Sequence, residues 1–342
     1  MKPRSELATV APAEIVSAAE THDAHVQEFL DQSHTPNTVR AYRADITHFR
    51  AWCATHGYVS MPASVDTVSR YLSALAKGTA ARDPKGPKPR STDGHWTVAT
   101  IKRRRASIGT MHELAEQLNP CASRRVAKVI EGIVNAIGEP QRAVTPLLPD
   151  QLRASVAALR ASGRLRDRRD VALVLMCFSG AFRRSEIAAL NVSDVRFTPE
   201  GASAFVRRSK GDRKRVGVHI PIAHGEHPET DPVATLRAWI ADLPTQDGPL
   251  FYGVDQSDQM RPSRMPAAEV SRAVKRIARG LGLDPREFGG HSLRAGFVTA
   301  AFAEGRSIES VKEHVRHVRY ETVSIYNRQA NKFRNNPAKG LL

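Results

Sequence analysis

One stretch of this chain departs in pattern from everything around it. Between Val192 and Ile222 the sequence reads VSDVRF, SAFVRR and RVGVHIPI, short pieces of alternating residues, with SKGDRK between the last two. Alternation sends successive side chains to opposite faces of a strand, and the basic Gly-containing link suits a reversal, so this segment predicts a small antiparallel sheet. On both sides of it, apolar residues recur at helical spacing instead. The expected fold class is therefore mainly α with a small antiparallel β-sheet (α+β). No repeat of 20 to 50 residues and no G-x-x-x-x-G-K loop is present, which argues against a doubly wound nucleotide binder.

The helical part falls into two groups. TPNTVRAYRADITHFRAWCATHG, from Thr35, reads as a helix opened by Pro36 and Asn37 and ended by Gly57, with Val39, Tyr42, Ile46, Phe49 and Trp52 at helical intervals. A second helix is expected over Val65 to Leu75, after which KGTAARDPKGPKPRSTDG is too rich in Gly, Pro and charge to pack. The third begins near Thr97, with Ile101, Ile108, Met111 and Leu114 on one side and Lys102, Arg103, Arg104 and Arg105 covering much of the other. A stretch from Ser123 to Val134 follows. Further helices are expected at Pro149 to Ala161, Arg166 to Phe178, Pro232 to Ala241, Ala267 to Arg279, His291 to Glu304, Ile308 to Val315 and Glu321 to about Lys332.

At 342 residues the length suits two domains. The expected organisation is an Ala-rich arm over 1–20, a helical domain over 21–137, a linker in the proline-containing 138–148, a second domain over 149–335 and a tail over 336–342.

Lys and Arg outnumber Asp and Glu by 51 to 35, a formal charge of +16, which makes a polyanion the natural partner. The KRRR run reads either as a solvated face or as a phosphate-contacting one. A membrane is not expected, since the longest apolar run, VALVLMCF at 171–178, has only the length of a buried helix segment. The opening residues lack a continuous apolar core, so no secretory signal is expected and the cytoplasm is the expected location. Cys53, Cys121 and Cys177 lie tens of residues apart and read as small buried hydrophobes. With no CxxC pair and no HExxH, no metal is expected.

Four places carry residues that form a chemical set. SGAFRRSEIAAL offers Arg183 and, one turn on, Glu186; the sheet link offers Lys210; HSLRAGFVTAAF offers His291 and Arg294; HVRHVRYETVSIY offers His317 and Tyr326. Two guanidinium forks suit a phosphate, and they favour a pentacoordinate transition state whose equatorial oxygens gain charge. A phenol serves as nucleophile once nearby cations favour its anion. Each residue also has a plainer reading. Arg183 and Glu186 fit a surface ion pair, His317 a satisfied supporting histidine, and Lys214 can replace Lys210, while Tyr320 and Tyr252 are rival phenols.

The order R-x-x-E, a lysine turn, H-x-x-R, then His followed nine residues later by Tyr resembles the catalytic domain of tyrosine recombinases, the phage-integrase family. The likeness covers nearly all of 145–335, and the region from about 20 to 135 is similar to that family's SAM-like core-binding domain. The resemblance implies site-specific recombination of double-stranded DNA through a 3'-phosphotyrosyl intermediate, with neither ATP nor a metal as cofactor. It implies Tyr326 as nucleophile, Arg183 and Arg294 as phosphate clamps, Lys210 as proton donor to the leaving 5' oxygen, His291 as proton-transfer group, His317 as phosphate ligand and Glu186 as support.

Lys102, Arg103, Arg104, Arg105, Arg184, Arg213, Lys214 and Arg215 are the expected DNA contacts. A homo-oligomer, tetrameric in the synapse, is implied, with room for accessory DNA-bending proteins, and Asn327 to Leu342 is expected to dock on a neighbouring subunit. Two departures stand out: Arg316 precedes His317 where the family usually has Gly, and Arg184 stands where a small or apolar residue is more usual. Two other functions fit the same residues: an inactive architectural or regulatory DNA binder of this fold, and a type IB topoisomerase.

Overall fold

A computed structural model describes residues 36–80, 94–138, 144–207 and 216–316. Expectations for the N-terminal arm, most of the Gly- and Pro-rich segment, the tip of the sheet link, the last helix and the tail lie outside them. So do those for Lys210, Arg213, Lys214, Arg215, His317, Tyr320 and Tyr326. The chain divides into two compact units, residues 1–141 and 142–342.

The first unit holds four helices among the described residues: α1 (Pro36–His56), α2 (Val65–Lys77), α3 (Val98–Leu114) and α4 (Arg124–Ile137). Local chemistry sets their ends. Ser64 Oγ accepts from the Thr67 amide at 3.0 Å to open α2, and Gly78 closes it at φ +71°, a left-handed cap that costs glycine nothing. Thr97 and Ser123 cap α3 and α4 in the same manner. Phe49, Trp52, Tyr71, Leu72, Leu75, Ile101, Ile108 and Val126 form the core between them.

Two expectations for this unit are corrected. Leu114 is 59% exposed and does not continue the apolar stripe of α3. Arg104, expected on a solvated or DNA-facing side, is buried. Its guanidinium stacks over the Trp96 ring at 4.0 Å, donates to Tyr71 Oη at 3.1 Å and His48 Nδ1 at 3.0 Å, and faces Asp45 at 3.4 Å. Asp45 and His48, on the inward face of α1, are the polar residues that make this placement tenable. Arg103 adds a bidentate pair to Asp45 at 2.8 and 2.9 Å, and Arg105 holds the Cys121 carbonyl at 2.8 Å.

In the second unit α5 (Pro149–Ala161), α6 (Leu165–Ser179) and α7 (Arg184–Ala189) lead into the sheet β1 (Val195–Thr198), β2 (Gly201–Val206) and β3 (Val218–Ala223). The sheet is antiparallel with β2 central, Ala204 facing Val195 on one side and Ile220 on the other. It is followed by α8 (Pro232–Ala241), a hairpin of β4 (Tyr252–Val254) and β5 (Met260–Arg264), and then α9 (Ala267–Gly280), α10 (Ser292–Ala303) and α11 (Ile308–Val315). Sequence patterning missed the hairpin because β5, MRPSR, carries a proline and is largely exposed, leaving no alternation to read.

The apolar run in α6 explains the layering: nine consecutive residues, Arg169 to Cys177, are buried, and α5, α8, α9, α10 and β3 pack around that helix. All three cysteines are buried, and burial pushes Cys53 and Cys121 each up to about 11. Among the described residues no helix is long and apolar enough to cross a membrane.

Candidate active site

The site is built on the turn that ends α6. Gly180 closes the helix, Ala181 follows at φ +45° in the left-handed region, Phe182 is buried, and Arg183 takes an extended conformation before α7. Left-handed backbone at a residue with a Cβ costs about 1–2 kcal/mol. It turns the Ala181 carbonyl toward two guanidiniums: Arg294 Nη1 donates to it at 2.5 Å and Arg316 Nη2 at 3.1 Å. Arg294 Nη2 also donates to the Val315 carbonyl at the end of α11.

Glu186, on the first turn of α7, is the anionic centre of this arrangement. One carboxylate oxygen accepts from the Arg183 amide at 2.9 Å, half of a capping box, and the other from Arg183 Nη1 at 2.5 Å. Arg316 Nη2 approaches the first of these oxygens at 3.1 Å. Burial alone would raise the Glu186 carboxyl, but the amide and guanidinium of Arg183 and the charge of Arg316 outweigh it and hold the group below the usual glutamate value. Thus Arg183, Arg294 and Arg316 gather three cations around one turn that holds a single ionised carboxylate among the described residues.

Placement of Arg294 depends on a close backbone approach. At Gly296, two residues on in α10, an added Cβ would lie 1.9 Å from the Leu147 carbonyl oxygen. Leu147 N donates to Ser292 O at 3.0 Å, so the segment before α5 is laid directly along the start of α10. His291 occupies the N-cap position of that helix and is exposed, whereas Arg294 is buried, so the spacing of the pair does not give them equal access to solvent. The Gly289–Gly290 turn before His291 is held by Ser271 of α9, whose Oγ accepts from Gly290 N at 3.2 Å and from Arg184 Nη1 at 3.2 Å. Arg184 thus covers Gly290, where an added Cβ would lie 2.1 Å from Arg184 Cδ.

Two residues that the sequence did not assign complete the described arrangement. His314, the next-to-last residue of α11, donates from Nε2 to Ser179 O at 2.7 Å and stacks on Phe297 at 4.7 Å. Burial holds its imidazole below the usual 6.5, with Arg316 and Arg294 adding to the effect. Arg316 ends α11 in left-handed backbone, φ +56° and ψ +44°. Its place before His317, where a glycine is usual, was the one sequence signal for it. Tyr252, a rival phenol, is buried in the core on β4. Lys102 is exposed on α3.

Fixed guanidiniums gathered on one turn, with the exposed His291 at the start of the helix that carries Arg294, are donors of the kind that suit a phosphate-like oxyanion. Among the described residues no group of three or more His, Cys, Asp or Glu could hold a metal ion.

The Phage integrase family model matches residues 146–332. An integrase/recombinase, a XerD homolog of Selenomonas ruminantium, is 31% identical over 310 residues, spanning 90% of this chain and 86% of that one. A tyrosine recombinase of Synechococcus elongatus is 26% identical, spanning 93% and 92%. Among solved structures, the XerH site-specific recombinase in a post-cleavage complex with its palindromic difH substrate superposes with a TM-score of 0.61 at 17% identity, covering 89% of this chain and 79% of that one. A lambda integrase dimer bound to a core site gives 0.54 at 16% identity, covering 89% and 93%.

Proposed function

Since the chain belongs to the phage integrase family of tyrosine recombinases, we propose that it breaks and rejoins double-stranded DNA at specific sites through a phosphotyrosyl intermediate. The observation that carries the reading is the convergence of Arg183 and Arg294 on the Gly180–Arg183 turn. In this reading the two guanidiniums bind the nonbridging oxygens of the scissile phosphate, and their attraction grows as those oxygens gain charge.

Tyr326 attacks phosphorus, the bond to the 5' oxygen breaks, and a 3'-phosphotyrosyl diester forms. Lys210 gives its proton to the departing 5' oxygen, while His291 assists removal of the phenol proton. At neutral pH only about one phenol in a thousand is ionised, so clustered guanidiniums nearby favour the anion. His317 hydrogen-bonds the phosphate and Glu186 orients Arg183. A 5'-hydroxyl then attacks the diester, which conserves the bond energy without an external energy source.

The helical domain over 21–137 serves as the core-binding domain, with Lys102 and the exposed edge of Arg103 at phosphates. Arg184 and the basic residues Arg213, Lys214 and Arg215 of the sheet link add contacts in the catalytic unit. A tetrameric synapse, docking through Asn327 to Leu342, and accessory DNA-bending proteins belong to the same proposal.

The test is covalent trapping on nicked duplexes built from the sequences flanking the gene. Wild type is expected to yield a denaturation-resistant adduct mapped to Tyr326 by mass spectrometry, and Tyr326→Phe none. Specific binding without any adduct would support an architectural role instead. Relaxation of supercoiled DNA independent of any site would support a topoisomerase.

A further inference from the structure

The position of Arg316 is costly for the residue that occupies it. Left-handed backbone is where glycine is favoured, and an arginine there is disfavoured by its Cβ. Its guanidinium is buried, and among the described residues Nε has no hydrogen-bond partner. Burial works against the charge, and so does the nearby Arg183. A glycine would relieve every one of these penalties, so cap geometry alone does not account for an arginine.

What the side chain does is specific. Nη1 donates to the Gly180 carbonyl at 3.1 Å and the His314 carbonyl at 2.9 Å, while Nη2 donates to Ala181 O at 3.1 Å and approaches Glu186 at 3.1 Å. The Arg316 carbonyl itself accepts from Arg183 Nη2 at 3.3 Å. Arg316 therefore touches both ends of the machinery, the turn that presents Arg183 and the chain leading into His317.

The Glu186 side chain is 1% exposed and Arg183 18% exposed, so the carboxylate is sealed while its nearer cation keeps partial access to solvent. If Arg183 were its only counter-ion, turning donors toward a phosphate would leave a buried carboxylate poorly compensated, an expensive state.

We propose that Arg316 is a positioning residue for strand cleavage: it serves as the standing counter-ion of Glu186, which lets Arg183 commit its guanidinium to the scissile phosphate. This rests on the recombinase reading above, with Arg183 as a phosphate ligand. Arg316 touches no reacting atom; it acts through Glu186 and Arg183. The carboxylate then orients Arg183 without holding it back, and the site keeps a surplus of positive charge before DNA arrives.

The experiment measures single-turnover formation of the Tyr326 adduct at saturating full-length protein, alongside DNA affinity on the same nicked duplex and thermal stability. The proteins are wild type, Arg316→Gly, Arg316→Lys, Glu186→Gln, the Arg316→Gly/Glu186→Gln double variant and Tyr326→Phe. Arg316→Gly is expected to fold with stability equal to or above wild type, bind DNA within about twofold, and cleave on the order of 10- to 100-fold more slowly. Arg316→Lys, which keeps the charge but loses the fork, is expected to recover part of the rate.

The double variant is decisive. With Glu186 neutralised there is no carboxylate to compensate, so removing Arg316 is expected to slow cleavage no further than Glu186→Gln does alone. Multiplying defects in the double variant, or an Arg316→Gly rate equal to wild type, would overturn the inference while leaving a Tyr326-dependent recombinase intact. Absence of a Tyr326-dependent adduct from wild type would overturn the recombinase reading itself, and this inference with it.

Discussion

Replacing Asp45 by leucine tests the buried polar centre of the first unit. The Asp45 side chain is 2% exposed and faces two cations of unequal position: Arg104, itself 2% exposed, and Arg103, 40% exposed. Asp45→Leu strands the two differently. Arg103 returns to water at little cost, but Arg104 is left charged in the core with no carboxylate beside it among the described residues, against His48, Tyr71 and the Trp96 ring. Breaking a buried pair from one side costs about 3–5 kcal/mol.

The reciprocal change is milder. Arg104→Met leaves Asp45 its bidentate pair with Arg103 and leaves the 2.9 Å hydrogen bond between His48 and Tyr71, while the methionine refills space over Trp96. A cost of about 1–2 kcal/mol follows from lost hydrogen bonds and imperfect packing. With both changes together the stranded charge is gone, so the double variant is expected to be more stable than Asp45→Leu alone. Hydrogen exchange by mass spectrometry on peptides from α1 and α3 of the full chain reads these differences locally. Equal costs for the two single changes, or a double variant at the sum of both, would refute the reasoning that the uncompensated Arg104 charge sets the penalty.

Gly296→Ala is expected to lower the stability of the catalytic unit by about 1–3 kcal/mol or more, because its Cβ would strike the Leu147 backbone; denaturant unfolding checks it. His314, held below 6.5 by burial, is neutral when folded and takes up its proton more readily when unfolded. Its contribution is therefore full above about pH 6.5 and lost as pH falls from there toward the folded value, so unfolding curves of His314→Gln should lack that segment of acid sensitivity. If Lys102 meets a phosphate, Lys102→Ala reduces the slope of log affinity against log salt by about one, whereas Arg104→Met, buried in the core, leaves that slope unchanged.

The sequence by itself determined the elements whose causes are local. Helix α5 at Pro149–Ala161, α8 at Pro232–Ala241 and α11 at Ile308–Val315 have the ranges expected from the sequence, and the structure shows why: proline at the first turn of α5 and α8 and side-chain caps from Asp231 and Ser307 act within a few residues. The sheet was legible through its alternation. The order and spacing of Arg183, Glu186, His291 and Arg294 were the sequence signal for the phosphate site proposed above.

Tertiary structure alone decided which way charges face. Arg103, Arg104 and Arg105 are neighbours of one residue type, yet one is in the core, one pairs with Asp45 at the rim and one holds a carbonyl of the next segment. That sorting depends on partners 16 to 58 residues away along the chain, beyond the reach of local periodicity. The same reason hid Arg316: its left-handed cap is a local event, but its bonds run to Gly180, Ala181 and Glu186, more than 100 residues earlier. Desolvation is a property of the packed surroundings rather than of the sequence position, and it is desolvation that turns an ordinary arginine into the counter-ion of a buried glutamate.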